Sequence, residues 1–147
     1  MFKLIGILFL GLLSNVSSEN STIVKSFTYK SCGTSTDIAQ NIIMSVDPPL
    51  PVKDYLFDLG ADFSKAVDGG TSKYSVTYNF IPLSPTTNDL CTEINNSNIT
   101  CPLKVGTYGI QSKGSVPDGL SGTTVIKNEW FNLQNERILC LSFTIKT

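Results

Sequence analysis

Cys32, Cys91, Cys101 and Cys140 are the only cysteines of this 147-residue chain, which has no histidine. In an oxidising compartment an even set of thiols pairs into disulfides. Lack of histidine removes the commonest general base and the commonest metal ligand, so no Ser-His-Asp or Cys-His arrangement can be assembled. Asp54, Asp58 and Asp62 fall on one face of an extended strand. Paired carboxylates serve glycosidases, but this spacing is that of a solvated strand face. Neither near nor far cysteines have the two-residue spacing of a zinc ribbon, and no glycine-rich phosphate loop is present. These residues point away from an enzyme, with no catalytic residue, metal or cofactor expected, and towards a stapled binding module.

Four cysteines allow three pairings. Spacing favours Cys91–Cys101, which closes a short polar loop, and Cys32–Cys140, which ties the first strand to the last. By the chain-entropy model the long loop restricts the unfolded chain by about 4–5 kcal/mol.

The compartment follows from the start of the chain. Lys3 precedes an apolar run from Leu4 to Leu13, and Val16 and Ser18 are small residues suited to a cut. This is the pattern of a secretory signal peptide, expected over residues 1–18; the run is shorter than the roughly 20 residues a membrane span needs. Residues 19–147 then form one domain. Asn20, Asn95 and Asn98 each begin a glycosylation sequon, and two of them inside the Cys91–Cys101 interval suggest an exposed loop. The expected location is secreted or in the endolysosomal lumen. Charged residues are 16% of the chain and the net charge is -1, without the basic stripe of a nucleic-acid binder or the lysine cluster that anionic membranes attract.

Strand patterns dominate, at 25–30, 38–46, 54–63, 74–80, 104–112, 123–131 and 137–145. Tyr55, Phe57, Leu59, Ala61 and Phe63 alternate with Asp54, Leu56, Asp58, Gly60 and Asp62. Tyr74, Val76, Tyr78 and Phe80 share one face of the clearest period-2 segment, and Leu139, Leu141, Phe143 and Ile145 share one face of the last. In 38–46 the same rule puts Ile38, Gln40, Ile42, Met44 and Val46 together. Asp47-Pro48-Pro49-Leu50-Pro51 stops a ladder, and Asp68-Gly69-Gly70 and Pro117-Asp118-Gly119 are turns. No long amphipathic helix is found. Short strands separated by turns give an all-β class, an antiparallel sandwich or barrel.

An ordered set of motifs carries a family resemblance. Tyr29-Lys30-Ser31-Cys32-Gly33 opens it, and Gly33-Thr34-Ser35-Thr36-Asp37-Ile38-Ala39-Gln40 and Asp47-Pro48-Pro49 follow. Asp89-Leu90-Cys91, Cys101-Pro102-Leu103 and Glu136-Arg137-Ile138-Leu139-Cys140-Leu141 complete it. The set resembles the ML (MD-2-related lipid-recognition) domain. It is most similar to phosphatidylglycerol/phosphatidylinositol transfer proteins and more distantly to Niemann-Pick type C2 sterol carriers. The sterol carriers have an extra cysteine pair near the proline-rich turn, where this chain has none.

The resemblance implies an immunoglobulin-like sandwich of two antiparallel sheets that part around an internal apolar cavity. It implies a protein that carries glycerophospholipid between membranes, or, as alternatives, sterol, or that recognises a receptor or glycan. The partners so implied are phosphatidylglycerol, phosphatidylinositol or a sterol and a transient membrane surface; nucleic acid is not expected, and a monomer is. Cavity walls are expected from Ile42, Met44, Tyr55, Phe57, Leu59, Tyr74, Val76, Tyr78, Phe80, Trp130, Leu139, Leu141 and Phe143. Tyrosine rings can face acyl chains while their hydroxyls reach a headgroup, and Met44 can adapt to chain shape. Pro82, Leu83 and Pro85 are candidates for a membrane-touching loop, and Lys104 and Lys113 for headgroup contact.

Overall fold

The computed structural model describes residues 24–47, 54–116 and 119–147. The expected leader, Asn20, the proline-rich turn after Asp47 and Pro117-Asp118 lie outside the described residues. The elements are β1 (Ser26–Ser31), β2 (Ala39–Asp47), β3 (Asp54–Phe63), β4 (Thr71–Tyr78), β5 (Ile81–Pro82), β6 (Thr86–Asp89), α1 (Leu90–Asn95), β7 (Gly106–Ser115), β8 (Thr123–Phe131) and β9 (Arg137–Lys146). Antiparallel pairing makes two sheets. One runs β1-β9-β8-β4-β5, with β6 also paired to β4, and the other runs β2-β3-β7. Each has one apolar face, and the two bury those faces against each other as a sandwich.

Simple alternation places most of the core. Tyr55, Phe57, Leu59, Ala61 and Phe63 of β3 are all buried, as are Leu139, Leu141, Phe143 and Ile145 of β9. On the inner face of β4, Ser72, Tyr74 and Val76 stand opposite Trp130, Asn128 and Ile126 of β8. Gly114 is required opposite Tyr55, because a Cβ there would lie 2.4 Å from the tyrosine ring.

Two local departures correct the expected faces. In β2 the register slips between Gln40 and Ile43, at a left-handed Asn41 (φ 53°). The extra residue of this bulge changes the parity. Ala39, not Gln40, therefore shares the inner face with Ile42, Met44 and Val46. The Gln40 amide instead donates to the carbonyls of Asp37 (2.7 Å) and Thr34 (3.1 Å). In β4 the expected run to residue 80 ends at Tyr78, which pairs with Ile81 across a two-residue turn. Asn79 and Phe80 both have positive φ, 46° and 68°, the pattern of a tight hairpin. Phe80 leaves the inner face and is 90% exposed.

The two sheets share a common pair of ends. At one, Ile38 N donates to Arg137 O and Ser64 N to Ile38 O, gathering the ends of β1, β2, β3 and β9. Both disulfides lie there: Cys32–Cys140 spans 108 residues and Cys91–Cys101 spans 10. Arg137 Nε donates to buried Asp37 (2.9 Å) and its Nη1 to Glu129 (3.2 Å), while Lys65 pairs with Glu136 (2.6 Å). The other end carries the β4–β5 hairpin and the loop at 119–122.

α1 is one and a half turns long, too short to persist alone. Asp89 caps it by accepting from Thr92 N (2.8 Å), and the disulfide at Cys91 holds it against β4 with Leu90, Glu93 and Ile94 buried.

Candidate functional site

The interior between the sheets is where the expected wall residues converge. Tyr55, Phe57, Leu59, Tyr74, Val76, Trp130, Leu139, Leu141 and Phe143 are buried on the inner faces, and Ile42, Met44 and Tyr78 are half-buried on them. Phe80 is the exception, for the turn geometry given above. The same faces hold residues that the sequence patterns did not single out: Phe27, Ile110, Ile126 and Val116. Ile126 was within reach of the rule, since it shares parity with Trp130.

The sheets touch through aromatic rings. Phe27 meets Tyr55 at 5.0 Å between centroids, Phe57 meets Phe143 at 5.4 Å and Tyr29 meets Phe57 edge-on at 6.0 Å. These contacts join β1 and β9 of one sheet to β3 of the other. They fix the spacing on that side of the sandwich. Burial pushes the Tyr55 hydroxyl well above the ordinary tyrosine value.

Towards the stapled end the interior becomes polar. Tyr74 Oη donates to Glu93 Oε2 at 3.1 Å, and Asn128 Nδ2 donates to Ser72 Oγ at 2.9 Å. Glu93 and Asn128 are fully buried. Burial raises the Glu93 carboxyl above the usual glutamate value, against the opposing hydrogen bonds of Ser72 and Tyr74. Burial and the neighbouring Glu93 charge raise Tyr74 well above its ordinary value. Sequence reading missed this cluster. Its one signal was Leu90, Glu93 and Ile94 at helical spacing, a charge set on an apolar stripe.

A cleft of about 360 Å³ lies beside β1 and β2, with Ser31, Thr34, Ala39, Gln40, Ile42 and Leu139 among its lining residues. Asp37 there is already engaged by Thr34 N (3.1 Å) and Arg137. Its hydrogen bonds organise the loop between β1 and β2.

At the opposite end the hairpin is held from below. Asn79 Nδ2 donates to Ser121 O (3.2 Å), Thr123 N donates to Asn79 Oδ1 (2.8 Å) and Tyr78 Oη donates to Ser121 O (2.8 Å). Gly122 (φ 120°) is needed beneath it, since a Cβ there would fall 1.9 Å from Asn79 Oδ1. Phe80 and Ile81, the latter 63% exposed, project beyond this support. Lys113 is exposed on the outer face of β7, and Lys104 precedes β7 at the stapled end. Asn95 and Asn98 are exposed. The Asn98 side chain pairs with the β7 edge, donating to Gly109 O (3.1 Å) and accepting from Gln111 N (2.7 Å).

The model of the ML-domain family matches residues 26–147. The chain belongs to the ML-domain family. Among curated relatives of this ML domain is a phosphatidylglycerol/phosphatidylinositol transfer protein of Neurospora crassa, 25% identical over 72% of this chain and 61% of the relative. A Candida albicans protein of the same name is 28% identical over 71% of this chain and 55% of its own length. The chain thus spans little more than half the length of these relatives. A putative transfer protein of Dictyostelium discoideum is 32% identical over 71% of this chain and 74% of its own. Among solved structures, chicken MD-1 complexed with lipid IVa superposes with a TM-score of 0.62 at 18% identity, covering 89% of this chain and 99% of that one. A Niemann-Pick type C2 protein from the Japanese carpenter ant gives 0.56 at 20%, covering 80% and 96%. These neighbours establish the immunoglobulin-like ML sandwich. The cystines, Cys32–Cys140 and Cys91–Cys101, are the pairs expected from spacing.

Proposed function

We propose that this ML domain carries a glycerophospholipid between membranes, with acyl chains sheltered between the sheets and the headgroup at the hairpin end. The observation that carries this reading is the family match over residues 26–147 on a sandwich whose inner faces are largely apolar and whose cystines lie at one end. The relatives' names supply the substrate class, phosphatidylglycerol or phosphatidylinositol. Carriage needs no catalytic group. Each methylene removed from water contributes about 0.8 kcal/mol, so a chain of common length contributes of order 10 kcal/mol. That is enough to compete with a bilayer if the space is preformed. The inner-face residues, from Ile42 and Met44 across Tyr55, Phe57, Leu59, Tyr74, Val76, Tyr78, Trp130, Leu139, Leu141 and Phe143, are the proposed walls.

The hairpin is the proposed contact with the membrane surface. An exposed phenylalanine beside an exposed isoleucine, on a turn clamped by Asn79, is shaped to enter the interfacial layer. A secreted or endolysosomal location suits two cystines, which persist in oxidising compartments.

The test is transfer of labelled phosphatidylinositol or phosphatidylglycerol from donor to acceptor vesicles. Transfer well above the spontaneous rate is expected. A rate equal to the spontaneous one, together with a natively purified protein that yields no extractable lipid, would defeat the reading.

A further inference from the structure

The outer faces of the two sheets carry opposite charge. On the larger sheet Lys30 of β1, Lys73 of β4, Lys127 of β8 and Lys146 of β9 are all exposed. They lie far apart in a sequence that holds no lysine cluster, and the strand register gathers them. Lys30 and Lys127 stand on either side of Ser142. Lys127 is paired with Ser75, the outward neighbour of Lys73 on β4, and Lys146 is two outward residues beyond Ser142 on β9. With strands about 4.8 Å apart and a rise of about 3.4 Å per residue, the four fall within a patch about 15 Å on a side. The acids beside them are engaged: Glu129 pairs with Lys127 (3.2 Å) and Arg137 (3.2 Å), and Asp89 at the β6 margin caps α1. On the strands of the smaller sheet the pattern inverts. Asp47, Asp54, Asp58 and Asp62 share the outer face with a single lysine, Lys113.

Between the lysines the larger sheet presents short side chains. Thr28, Ser142, Thr144, Ser75 and Thr77 fill the intervening rows. The long lysine stems therefore project furthest, and their flexibility absorbs the twist of the sheet. All four ammoniums can reach one plane. A small anion is recognised in a pocket, whereas a sheet of negative charge needs only cations that arrive together. The aspartates behind them add direction. A molecule with one basic and one acidic face is turned by an anionic surface so that the lysines approach it and the carboxylates stay away.

We infer that this lysine-bearing face is a docking surface for an anionic lipid bilayer, with Lys30, Lys73, Lys127 and Lys146 as its cations. The attraction acts within about one Debye length of the surface, and each lysine adds to it. The β4–β5 hairpin continues the same sheet. A molecule lying on this face therefore brings exposed Phe80 and Ile81 to the border of the contact. The inference deepens the carrier reading and rests on it for the purpose of docking. Cations hold the domain at the surface while the tip enters it. The choice of membrane is then made by charge, a selectivity that an apolar tip does not supply.

The test is co-flotation of the protein with vesicles of equal parts phosphatidylcholine and phosphatidylglycerol, against vesicles of phosphatidylcholine alone. Binding to the anionic vesicles is expected to be tighter by about a hundred-fold. It should fall to the level of phosphatidylcholine in about 1 M salt, where the Debye length is about 3 Å. Lys30 and Lys73 have no ion pair among the described residues. Lys30→Gln and Lys73→Gln should each weaken binding about five-fold, and together about twenty-five-fold. Ser45→Glu makes the same change in net charge on the acidic face, where Ser45 is exposed, and should weaken binding by about two-fold at most. Circular dichroism should be the same for all variants. Equal binding to both vesicles, binding that persists in high salt, or a loss with Ser45→Glu as large as with Lys30→Gln would overturn the inference. Retention by soluble dextran sulfate without vesicle binding would also overturn it, in favour of a polysaccharide. Phospholipid transfer with binding indifferent to these lysines would sink the docking face and leave carriage standing. Lysine-dependent binding without transfer would do the reverse.

Discussion

The two ends of the sandwich are built on opposite principles. At the stapled end Cys32–Cys140 and the Arg137–Glu129 pair tie neighbouring strands of the larger sheet, while the Arg137–Asp37 pair, Cys91–Cys101 and the isolated bridge of Val67 to Leu103 hold the segments that lead into β2, α1 and β7. At the hairpin end no cystine lies among the described residues; hydrogen bonds from Asn79 and Tyr78 support an apolar tip. Under the proposed carrier function the difference separates two demands. Stability is concentrated where the cystines and ion pairs lie, which under that proposal leaves the far end free to exchange contacts with a lipid surface without risk to the fold. Substitutions at the first end should therefore register in unfolding, and those at the second in transfer.

The largest effect expected is from Cys32→Ser with Cys140→Ser. A closed loop of 108 residues restricts the unfolded chain by about 4–5 kcal/mol, a large share of the 5–15 kcal/mol typical of a domain. Urea unfolding monitored by Trp130 emission measures it. Phe57→Ala, at the ring contacts midway between the ends, should follow at about 3–5 kcal/mol. Removing Cys91–Cys101, whose loop is ten times shorter, should cost only about 3 kcal/mol. If the short bridge proved more costly than the long one, stability would not reside in the tie between first and last strands.

Much of this architecture was legible in the sequence, because period-2 alternation is a direct record of which face is buried. β3 follows it residue by residue and β9 does so from Leu141 onward, after a stretch in which Ile138 and Cys140 are buried as well as Leu139 and Leu141, and the cysteine spacing foretold both bridges. Gln40 and Phe80 escaped it for one shared reason. Each lies beside a left-handed residue (Asn41 and Asn79), and a positive φ at asparagine has no mark in an apolar pattern as glycine would. The β7 strand starts at Gly106 rather than 104, in a segment whose glycines blur the alternation. Glu93 and Asn128 were invisible for a deeper reason: a search for apolar walls discards polar residues, and only coordinates bring the helix and strand that carry them together.

Glu93 gives a smaller effect with a definite sign. Its carboxyl is raised in the folded protein chiefly by burial. The stability it contributes is complete below the ordinary glutamate value and is lost as pH rises through the raised folded value. Asp62, Asp89 and Glu136 are shifted downward by their hydrogen bonds and act in the opposite sense, favouring the fold above the ordinary carboxylate range. The wild-type profile mixes both, but the difference between wild type and Glu93→Gln isolates one group. The gap should change in favour of the glutamine variant as pH rises from 4 towards 7. A gap independent of pH would mean that Glu93 keeps an ordinary carboxyl and that the stapled end is wetter than its burial implies.

The smallest change in stability should be the most informative about the comparison. Phe80 holds φ at 68°, a conformation that costs an ordinary L-residue about 1–2 kcal/mol. It is 90% exposed, so folding recovers little of that by burial. Glycine adopts the same φ freely, and Asn-Gly is the sequence that such two-residue hairpins favour. Phe80→Gly should therefore raise the free energy of unfolding, by up to about 1 kcal/mol after glycine's greater unfolded-state entropy is set against the relieved strain. The same substitution should weaken binding to vesicles and slow phospholipid transfer several-fold, because the exposed ring is lost from the tip. A variant more stable yet poorer at transfer would place a strained aromatic at this turn for its contact with lipid, since the fold alone is better served by glycine. Unchanged transfer would assign the membrane contact elsewhere and leave the hairpin a mere connection between strands.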